Sequence, residues 1–209
     1  MKLTWYFDFV SPFSYLQFEC FDRLPSDSQI DLKPILFGAL LTHLNQRGPA
    51  EIPHKREFTY KHVQWIADRN NIPFKFPPAH PFNPVRALRL SIALGNDIEA
   101  VRTIFRFMWR EGRLADEPSD WRELIERLGI TDAEAKIADA RVKDELRQNF
   151  EDAKAAGVFG VPTFAVGDEL FWGFDAMPML LAYLRDPSVL KTAEMTRISG
   201  LPFAAQRKA

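Results

Sequence analysis

The sequence predicts an α/β protein in which a single sheet domain is interrupted by an all-helical insertion. The chain opens with two strand-like runs, residues 3–10 and 30–36, separated by a helical segment. Two short strand-like runs return near the end, and a last helix follows them. Between Phe37 and Gly157 no convincing strand pattern is present. The sheet elements therefore lie at the two ends of the 209-residue chain, with helices between them.

The opening is a β-α-β unit with a well-marked helix start. Residues 3–10 form a short apolar run of high strand propensity, which is typical of a buried strand. Ser11 is a preferred N-cap residue, and Pro12 suits the first position of a helix. The helix is predicted to end at Pro25. Its apolar residues at helical spacing are Phe13, Leu16, Cys20 and Leu24.

The middle of the chain is predicted to form several helices, whose starts and ends are marked by capping residues. The predicted helix starts, each at a capping side chain, are Asn83-Pro84, Asp97 and Ser119. Thr131 and Glu134 form a capping-box pattern, which predicts one long helix ending at Gly157. The proline-rich segment of residues 72–84 excludes a helix there.

The α/β pattern returns at the C-terminal end. Residues 163–166 and 169–172 are predicted strands around Gly167-Asp168, a typical hairpin turn. Asp175 is predicted to cap the last helix, and the tail has no clear period. We therefore predict a sheet domain of residues 1–37 plus 157–190, a helical insertion of residues 38–156 and a C-terminal tail of residues 191–209.

Composition excludes several classes of protein. With 27 basic and 28 acidic residues the net charge is −1, which gives no electrostatic footprint for nucleic acid or a membrane surface. The single cysteine, Cys20, excludes an internal disulfide, and the four histidines lack metal-ligand spacing, so no metal site is expected. Because no signal peptide or membrane-spanning run is visible, we expect a cytoplasmic protein. The 18 Phe and five Trp predict a large aromatic core or an apolar cleft.

Three segments are candidates for a functional site, and each also has a purely structural explanation. Ser11 lies between a strand end and a helix start, where α/β proteins bind ligands and a thiolate is stabilised, but it is equally a common helix cap. Pro162, in Gly-Val-Pro-Thr, is also consistent with a trans proline that begins a strand. Residues 172–175, Trp-Gly-Phe-Asp, are also consistent with a simple turn and cap.

Taken together and in this order, the three segments resemble the thioredoxin superfamily. The disulfide oxidoreductases of that superfamily carry Cys-x-x-Cys where this chain has Ser-Pro-Phe-Ser at residues 11–14, so the resemblance implies no dithiol redox chemistry. It also implies that the Val161-Pro162 bond is cis and faces the tip of the first helix.

The opening Asp-Phe-Val-Ser-Pro-Phe-Ser-Tyr of residues 8–15 narrows the resemblance. Over about residues 2–186 the sequence resembles the kappa-class glutathione transferases and the 2-hydroxychromene-2-carboxylate isomerases. The resemblance implies a thioredoxin-like domain interrupted by an all-helical insertion, as in DsbA-like proteins.

The resemblance places a glutathione site in the sheet domain. Ser11 matches the family's catalytic serine, whose hydroxyl donates a hydrogen bond to the glutathione sulfur. Val161, before Pro162, matches the residue whose backbone pairs with the cysteinyl part of glutathione. The segment that holds the γ-glutamyl end is matched by Trp172, Gly173, Phe174 and Asp175. Within it, the Asp175 carboxylate is expected to face the ammonium group.

The resemblance places substrate binding in the insertion, at Asn45, Lys55 and Asn83. Lys55 is expected to neutralise a substrate or glycine carboxylate, although a lone surface lysine is more often only solvated. Asn83 is at least a helix cap. The isomerases tend to carry a lysine shortly before the position of Asn45, where this chain has Leu-Thr-His-Leu at residues 41–44. This departure leaves recognition of the chromene carboxylate open.

We therefore expect a glutathione-dependent cis-trans isomerase of the 2-hydroxychromene-2-carboxylate isomerase type, which acts in aromatic catabolism. The thiolate of glutathione would add reversibly to a conjugated carbon of the substrate, a small aromatic or unsaturated 2-oxo acid. One alternative is a kappa-like glutathione S-transferase, and another is a non-catalytic DsbA-like binding scaffold. The resemblance also implies a homodimer, with no nucleic-acid or membrane partner.

Overall fold

The computed structural model describes residues 1–205 as a four-stranded sheet covered by helices on both faces. The strands are β1 (Lys2–Phe7), β2 (Gln29–Pro34), β3 (Thr163–Val166) and β4 (Glu169–Trp172). The helices are α1 (Pro12–Phe18), α2 (Phe37–His43), α3 (Pro53–Arg69), α4 (Val85–Ala93), α5 (Ile98–Trp109), α6 (Pro118–Arg127), α7 (Ala133–Ala138), α8 (Ala140–Ala155), α9 (Met177–Arg185) and α10 (Ala193–Ser199). Short 3₁₀ helices lie at Phe21–Arg23, Pro49–Glu51, Phe174–Ala176 and Pro187–Leu190.

The sheet has the order β2-β1-β3-β4. β1 pairs in parallel with β2 and antiparallel with β3, while β3 and β4 form an antiparallel hairpin. The register places Trp5 opposite Phe164 and Tyr6 opposite Thr163. Helices α2 to α8 all lie between β2 and β3 in the chain. The predicted arrangement, with sheet elements at the two ends and helices between them, is confirmed.

Side chains alternate across β1 and bury both faces of the sheet. On one face Trp5 stacks on Phe7 with ring centroids 4.6 Å apart. Phe105 of α5 joins this aromatic cluster, with its ring 4.6 Å from that of Phe9, so the insertion packs directly on the sheet domain. On the other face Tyr6 packs in a smaller cluster with residues of α2 and α8.

The first helix begins as predicted and ends earlier. The Ser11 Oγ accepts a hydrogen bond from the Ser14 N–H at 3.2 Å, and Pro12 is the first helical residue. However, α1 ends at Phe18 and gives way to a 3₁₀ turn. This turn carries the Phe21 ring to 4.8 Å from that of Trp5, so tertiary packing shortens the helix while the apolar residues after it stay buried.

The predicted long helix before Gly157 is wrong, because the structure divides it into α7 and α8. The helix is interrupted at Asp139, where the backbone is extended (φ −54°, ψ 134°). The Asp139 side chain accepts a hydrogen bond from the Arg141 N–H at 2.8 Å. An aspartate in a helical pattern offers the backbone this alternative, and here it caps a new helix. The expected capping box does not form, since α7 begins after Asp132 without a side-chain cap.

Other predicted boundaries differ by a few residues. Asp97 caps α5 as predicted, and α6 begins at Pro118, one residue before Ser119. Asp175 does not cap the last helix, because it lies in a 3₁₀ turn and α9 begins only at Met177.

The tail is not without structure. Within the predicted tail of residues 191–209, α10 forms over residues 193–199, although none of its residues is buried. Residues 206–209 lie outside the described part of the chain. Across residues 1–205, no helix has the length and apolar character that crossing a bilayer requires. The division into a sheet domain, a helical insertion and a tail at residues 37, 157 and 190 stays a prediction.

Candidate active site

A cleft of about 420 Å³ opens beyond the carboxyl end of β1. One wall comes from the sheet domain, with the β1–α1 turn and the segment before β3. The other wall comes from the insertion, with α2, the start of α3 and the loop before α4. Its lining is largely apolar and aromatic, and includes Phe13, Phe37, Leu41, Phe82, Phe159 and Trp172. This lining suits a flat unsaturated ligand.

Ser11 is one of the polar residues that line the cleft. It is 6% exposed, and its Oγ accepts the Ser14 N–H, while its own hydroxyl proton has no acceptor among the described residues. That proton is therefore available to a ligand in the cleft. Ser14, by contrast, is fully buried outside the cleft lining, with an Oγ that has no partner in the described chain.

Val161 presents peptide groups to the cleft. The Val161-Pro162 bond is cis, as the resemblance implied. Val161 lines the cleft and is buried, and its backbone N–H and C=O make no hydrogen bond with residues 1–205. Buried backbone N–H and C=O groups normally form hydrogen bonds. The free N–H and C=O of Val161 at the cleft wall therefore suit a ligand that carries its own amide.

Trp172 forms the outer part of the same wall. Its side chain is 52% exposed, and its ring lies 5.1 Å from that of Phe159 in an edge-on arrangement. The indole passes directly over Gly160. A Cβ at Gly160 would collide with the Trp172 Nε1, so only glycine permits this approach.

The turn after Trp172 is fixed to Pro162, just before β3, and to α1. Gly173 has a left-handed backbone (φ 90°), and its N–H donates to the Pro162 carbonyl at 2.8 Å. The Gly173 carbonyl accepts from the Gln17 Nε2 at 2.8 Å, and the Gln17 Oε1 accepts from the Trp5 Nε1 at 2.6 Å. Gln17 is thus a buried anchor of this turn that sequence reasoning missed.

Four residues expected to bind glutathione lie beside the cleft and are not part of its lining: Pro162, Gly173, Phe174 and Asp175. Pro162 is buried, and Phe174 is half-buried and packs against the core. Asp175 is exposed, with its carboxylate close to the backbone of Gly173. Their roles toward glutathione stay predictions.

The insertion wall contains one of the three residues predicted there. Lys55 lies in the first turn of α3, lines the cleft and makes no ion pair within the described chain. Asn83 is exposed outside the lining, and its Oδ1 accepts the Val85 N–H at 3.1 Å. Asn83 therefore hydrogen-bonds the first residue of α4 from one position before the N-cap, which is Pro84, and its role toward substrate stays a prediction.

Asn45 ends α2 outside the cleft lining. It has a left-handed backbone (φ 51°), and its N–H donates to the Thr42 carbonyl. The next residue, Gln46, donates to the Leu41 carbonyl. This pair of hydrogen bonds is the Schellman arrangement that terminates helices, and asparagine is one of the few residues that tolerate it.

Asp8 is a functional candidate that sequence reasoning missed. It lines the cleft and is 0% exposed. Its Oδ1 accepts the Val10 N–H at 3.0 Å and its Oδ2 accepts the Phe37 N–H at 2.8 Å, so one carboxyl group joins the two walls. Burial raises the pKa of Asp8 to about 7, although these hydrogen bonds act in the opposite direction. The signal in the sequence was a lone acidic residue after an apolar strand.

Other titratable groups have different environments. His80 also lines the cleft, and burial lowers the pKa of its imidazole. Cys20 is 2% exposed, and burial raises the pKa of its thiol, as befits an unreactive core cysteine. Over residues 1–205, no group of three or more His, Cys, Asp or Glu residues is placed to hold a metal ion.

Comparison with known proteins identifies the family of the chain. The family model of the DSBA-like thioredoxin domain matches residues 2–185. The chain belongs to that family. The fold class and the resemblance expected from the sequence are thereby confirmed.

The relatives are enzymes of two kinds. The chain is 26% identical over 207 residues to glutathione S-transferase kappa 2 of Caenorhabditis elegans, which covers 88% of this chain and 92% of that protein. It is 29% identical over 192 residues to 2-hydroxychromene-2-carboxylate isomerase of Pseudomonas putida, covering 86% and 92%. A solved structure of a 2-hydroxychromene-2-carboxylate isomerase aligns with a TM-score of 0.78 and 25% identity, over 93% of this chain and 99% of that one. The prediction of an enzyme related to both groups is confirmed.

Proposed function

We propose that this chain is a glutathione-dependent isomerase of the 2-hydroxychromene-2-carboxylate isomerase type. The observation that carries the proposal is the apolar cleft that holds both the free hydroxyl of Ser11 and the unpaired backbone of Val161. Similarity to isomerases along most of the chain supports the same reaction class. The substrate class is a small aromatic or unsaturated 2-oxo acid.

The cleft and the turn that follows Trp172 fit glutathione. The Val161 N–H and C=O can pair with the cysteinyl amide of an extended peptide, in the manner of an added strand. Asp175, beyond Trp172, is exposed for an ammonium group at the γ-glutamyl end. When bound, glutathione supplies a thiolate that adds reversibly to a conjugated carbon, which turns a C=C bond of the substrate into a rotatable single bond.

The chain itself orients the reactants and controls charge. Ser11 donates its hydroxyl proton in a hydrogen bond to the thiolate, which favours the ionised sulfur. Phe13, Phe37 and Phe82 hold the ring of the substrate and exclude water from it. Lys55 pairs with a carboxylate of the substrate or of glutathione at the rim.

The second candidate is glutathione transfer, in which the conjugate is released. Similarity to the kappa transferases over a comparable share of the chain favours it. For both candidates we propose a homodimer in the cytoplasm, with no nucleic-acid or membrane partner, on the resemblance alone.

Counting glutathione separates the two reactions. The purified chain is incubated with 2-hydroxychromene-2-carboxylate and a substoichiometric amount of glutathione, and the isomer is followed by absorbance. An isomerase gives many turnovers with no loss of free thiol, whereas a transferase consumes one glutathione per product. Glutathione binding is measured in parallel by calorimetry. A folded chain that binds no glutathione, or that binds it and accelerates neither reaction, contradicts the proposal.

A further inference from the structure

The β1–α1 turn of residues 8–11 is attached to the insertion by two ring N–H groups. The Trp109 Nε1, at the end of α5, donates to the Phe9 carbonyl at 2.8 Å. The His80 Nε2, in the loop before α4, lies 2.9 Å from the Val10 carbonyl. The Val10 carbonyl belongs to the peptide bond with Ser11, the Phe9 carbonyl lies one residue earlier, and both donors come from the chain between β2 and β3.

We propose that His80, supported by Trp109, is a positioning residue that holds the Val10–Ser11 peptide so that the Ser11 hydroxyl stays directed at the thiolate. The helical insertion would then take part in thiolate stabilisation as well as in substrate binding. This inference rests on the proposed function, because it assigns a role at the same glutathione site.

The Val10–Ser11 peptide is held at both of its polar atoms. Its oxygen contacts the His80 Nε2, and its nitrogen donates to the Asp8 carbonyl at 3.1 Å. A peptide is planar, so fixing the oxygen and the nitrogen fixes its orientation and the position of the Ser11 Cα. Loss of the His80 donor frees the plane to rotate, and small displacements of a group that contacts a reacting atom are costly.

Surrounding groups fix the tautomer of His80. A carbonyl oxygen can only accept, so the Nε2 carries the proton and the Nδ1 is the acceptor. The Tyr60 hydroxyl lies 2.7 Å from the Nδ1 and 2.9 Å from the His80 carbonyl oxygen, and its single proton can be donated to either acceptor. Arg56 donates from its Nε to the Tyr60 oxygen and from its Nη2 to the His80 carbonyl, both at 3.0 Å.

Burial lowers the pKa of His80, and the nearby Arg56 charge acts in the same direction, while the hydrogen bond with the Val10 carbonyl opposes them. A neutral ring with one defined proton follows. Trp109 is fully buried, and its indole lies 5.5 Å from the His80 ring, so the two donors support each other.

The test compares the thiol pKa of bound glutathione between variants. It is read from thiolate absorbance against pH. We expect His80→Leu to raise the thiol pKa by about half a unit or more, the size expected for loss of part of one hydrogen bond. His80→Gln, whose Nε2 reaches a similar position, should restore much of the shift. His43→Leu, an exposed histidine outside the cleft lining, is the matched control and should leave the thiol pKa unchanged.

A double-mutant cycle with Ser11→Ala decides whether His80 acts through Ser11. In the Ser11→Ala background, His80→Leu should add no further shift. An unchanged thiol pKa in folded His80→Leu, or an equal shift in both backgrounds, overturns the inference. If His80→Leu does not fold, Tyr60→Phe replaces it, with a smaller shift in the same direction as the expected result and no shift as the contrary one.

The parent protein separates the two proposals. If it binds no glutathione, or leaves the thiol pKa at the value of free glutathione, the proposed function fails before any variant is compared. If it binds glutathione and lowers the thiol pKa, the variants test the positioning role alone.

Discussion

The two walls of the cleft are held in place by different means. The sheet wall follows from strand pairing, because Tyr6 lies opposite Thr163 in antiparallel strands and the residues beyond them, at 8–11 and 159–161, meet at one edge. The insertion wall is attached to that edge by side-chain hydrogen bonds to the backbone that span 29, 70 and 100 residues of sequence.

Because of this difference, the position of the insertion wall depends on a few single hydrogen bonds. A strand ladder distributes its hydrogen bonds over many residues, whereas each link to the insertion is a single side chain. One of these links, Asp8, is also a titratable group whose pKa lies near neutrality. The joint between the walls should therefore respond to pH and to single substitutions, and the predictions below test it.

The largest expected effect is the pH dependence of stability at Asp8. The folded-state pKa is raised from 3.8 to about 7, so stability is greatest below the ordinary pKa and is lost as pH rises through the folded value. Asp8→Asn removes the ionisation and leaves one backbone N–H without its acceptor. Between pH 3.8 and about 7, the free energy of unfolding of the parent should fall relative to that of Asp8→Asn by an amount on the order of 4 kcal/mol.

Urea unfolding of both proteins at a series of pH values measures this difference. The lost hydrogen bond in Asp8→Asn should lower the free energy of unfolding by ~1–3 kcal/mol at every pH. This offset does not change how the free energy varies with pH, so the slopes of the two curves can be compared directly. Two parallel stability curves would show that Asp8 does not titrate in this range.

The next largest effect lies at Ser11, on the sheet wall. Ser11→Ala should raise the thiol pKa of bound glutathione by about one to two units, because a charge-assisted hydrogen bond is worth ~1.5–3 kcal/mol. It should also cost ~1 kcal/mol of stability through loss of the helix cap. Ser14→Ala is the matched control, since the buried Ser14 Oγ has no partner in the described chain. If only stability changes in Ser11→Ala, Ser11 is a cap and no more.

The sheet wall could be predicted from the sequence because its rules are local. Ser11-Pro12 after an apolar strand marks a helix start, and Gly-Val-Pro-Thr before a hairpin marks a strand start. Ser11, Val161 and Trp172 all line the cleft. The family resemblance then supplied the pairing of the two segments.

The insertion wall could not be predicted in the same way. No local pattern reveals that His80 reaches the Val10 carbonyl or that Asp8 reaches the Phe37 N–H, since these contacts depend on how helices pack. The predicted long helix was divided at Asp139 for a local reason, because the Asp139 side chain caps a new helix where the apolar pattern alone favoured one continuous helix. Asn45 matched a family position, but its left-handed backbone gives it a helix-ending role that needs no ligand.

A smaller effect is expected at Lys55, on the rim of the insertion wall. Lys55→Gln should raise the KM for an anionic substrate by up to about fivefold and leave kcat nearly unchanged, since an exposed ion pair contributes ~0.2–1 kcal/mol. Lys61→Gln, on the same helix and outside the cleft lining, removes the same charge and serves as the control. Equal changes in KM would assign the effect to net charge instead of a contact with the carboxylate.

The smallest effect is expected at Asn45, and it decides whether the insertion wall binds substrate there. Glycine adopts the left-handed backbone of this position without strain, so Asn45→Gly should change the free energy of unfolding by no more than about 0.5 kcal/mol. If Asn45 only ends α2, the KM for substrate and the affinity for glutathione also stay at the parent values. A severalfold rise in either constant, with stability unchanged, would mean that the amide contacts a ligand once the cleft is filled. Steady-state kinetics and calorimetry on the one variant separate these outcomes, because this substitution keeps the backbone role and removes only the amide.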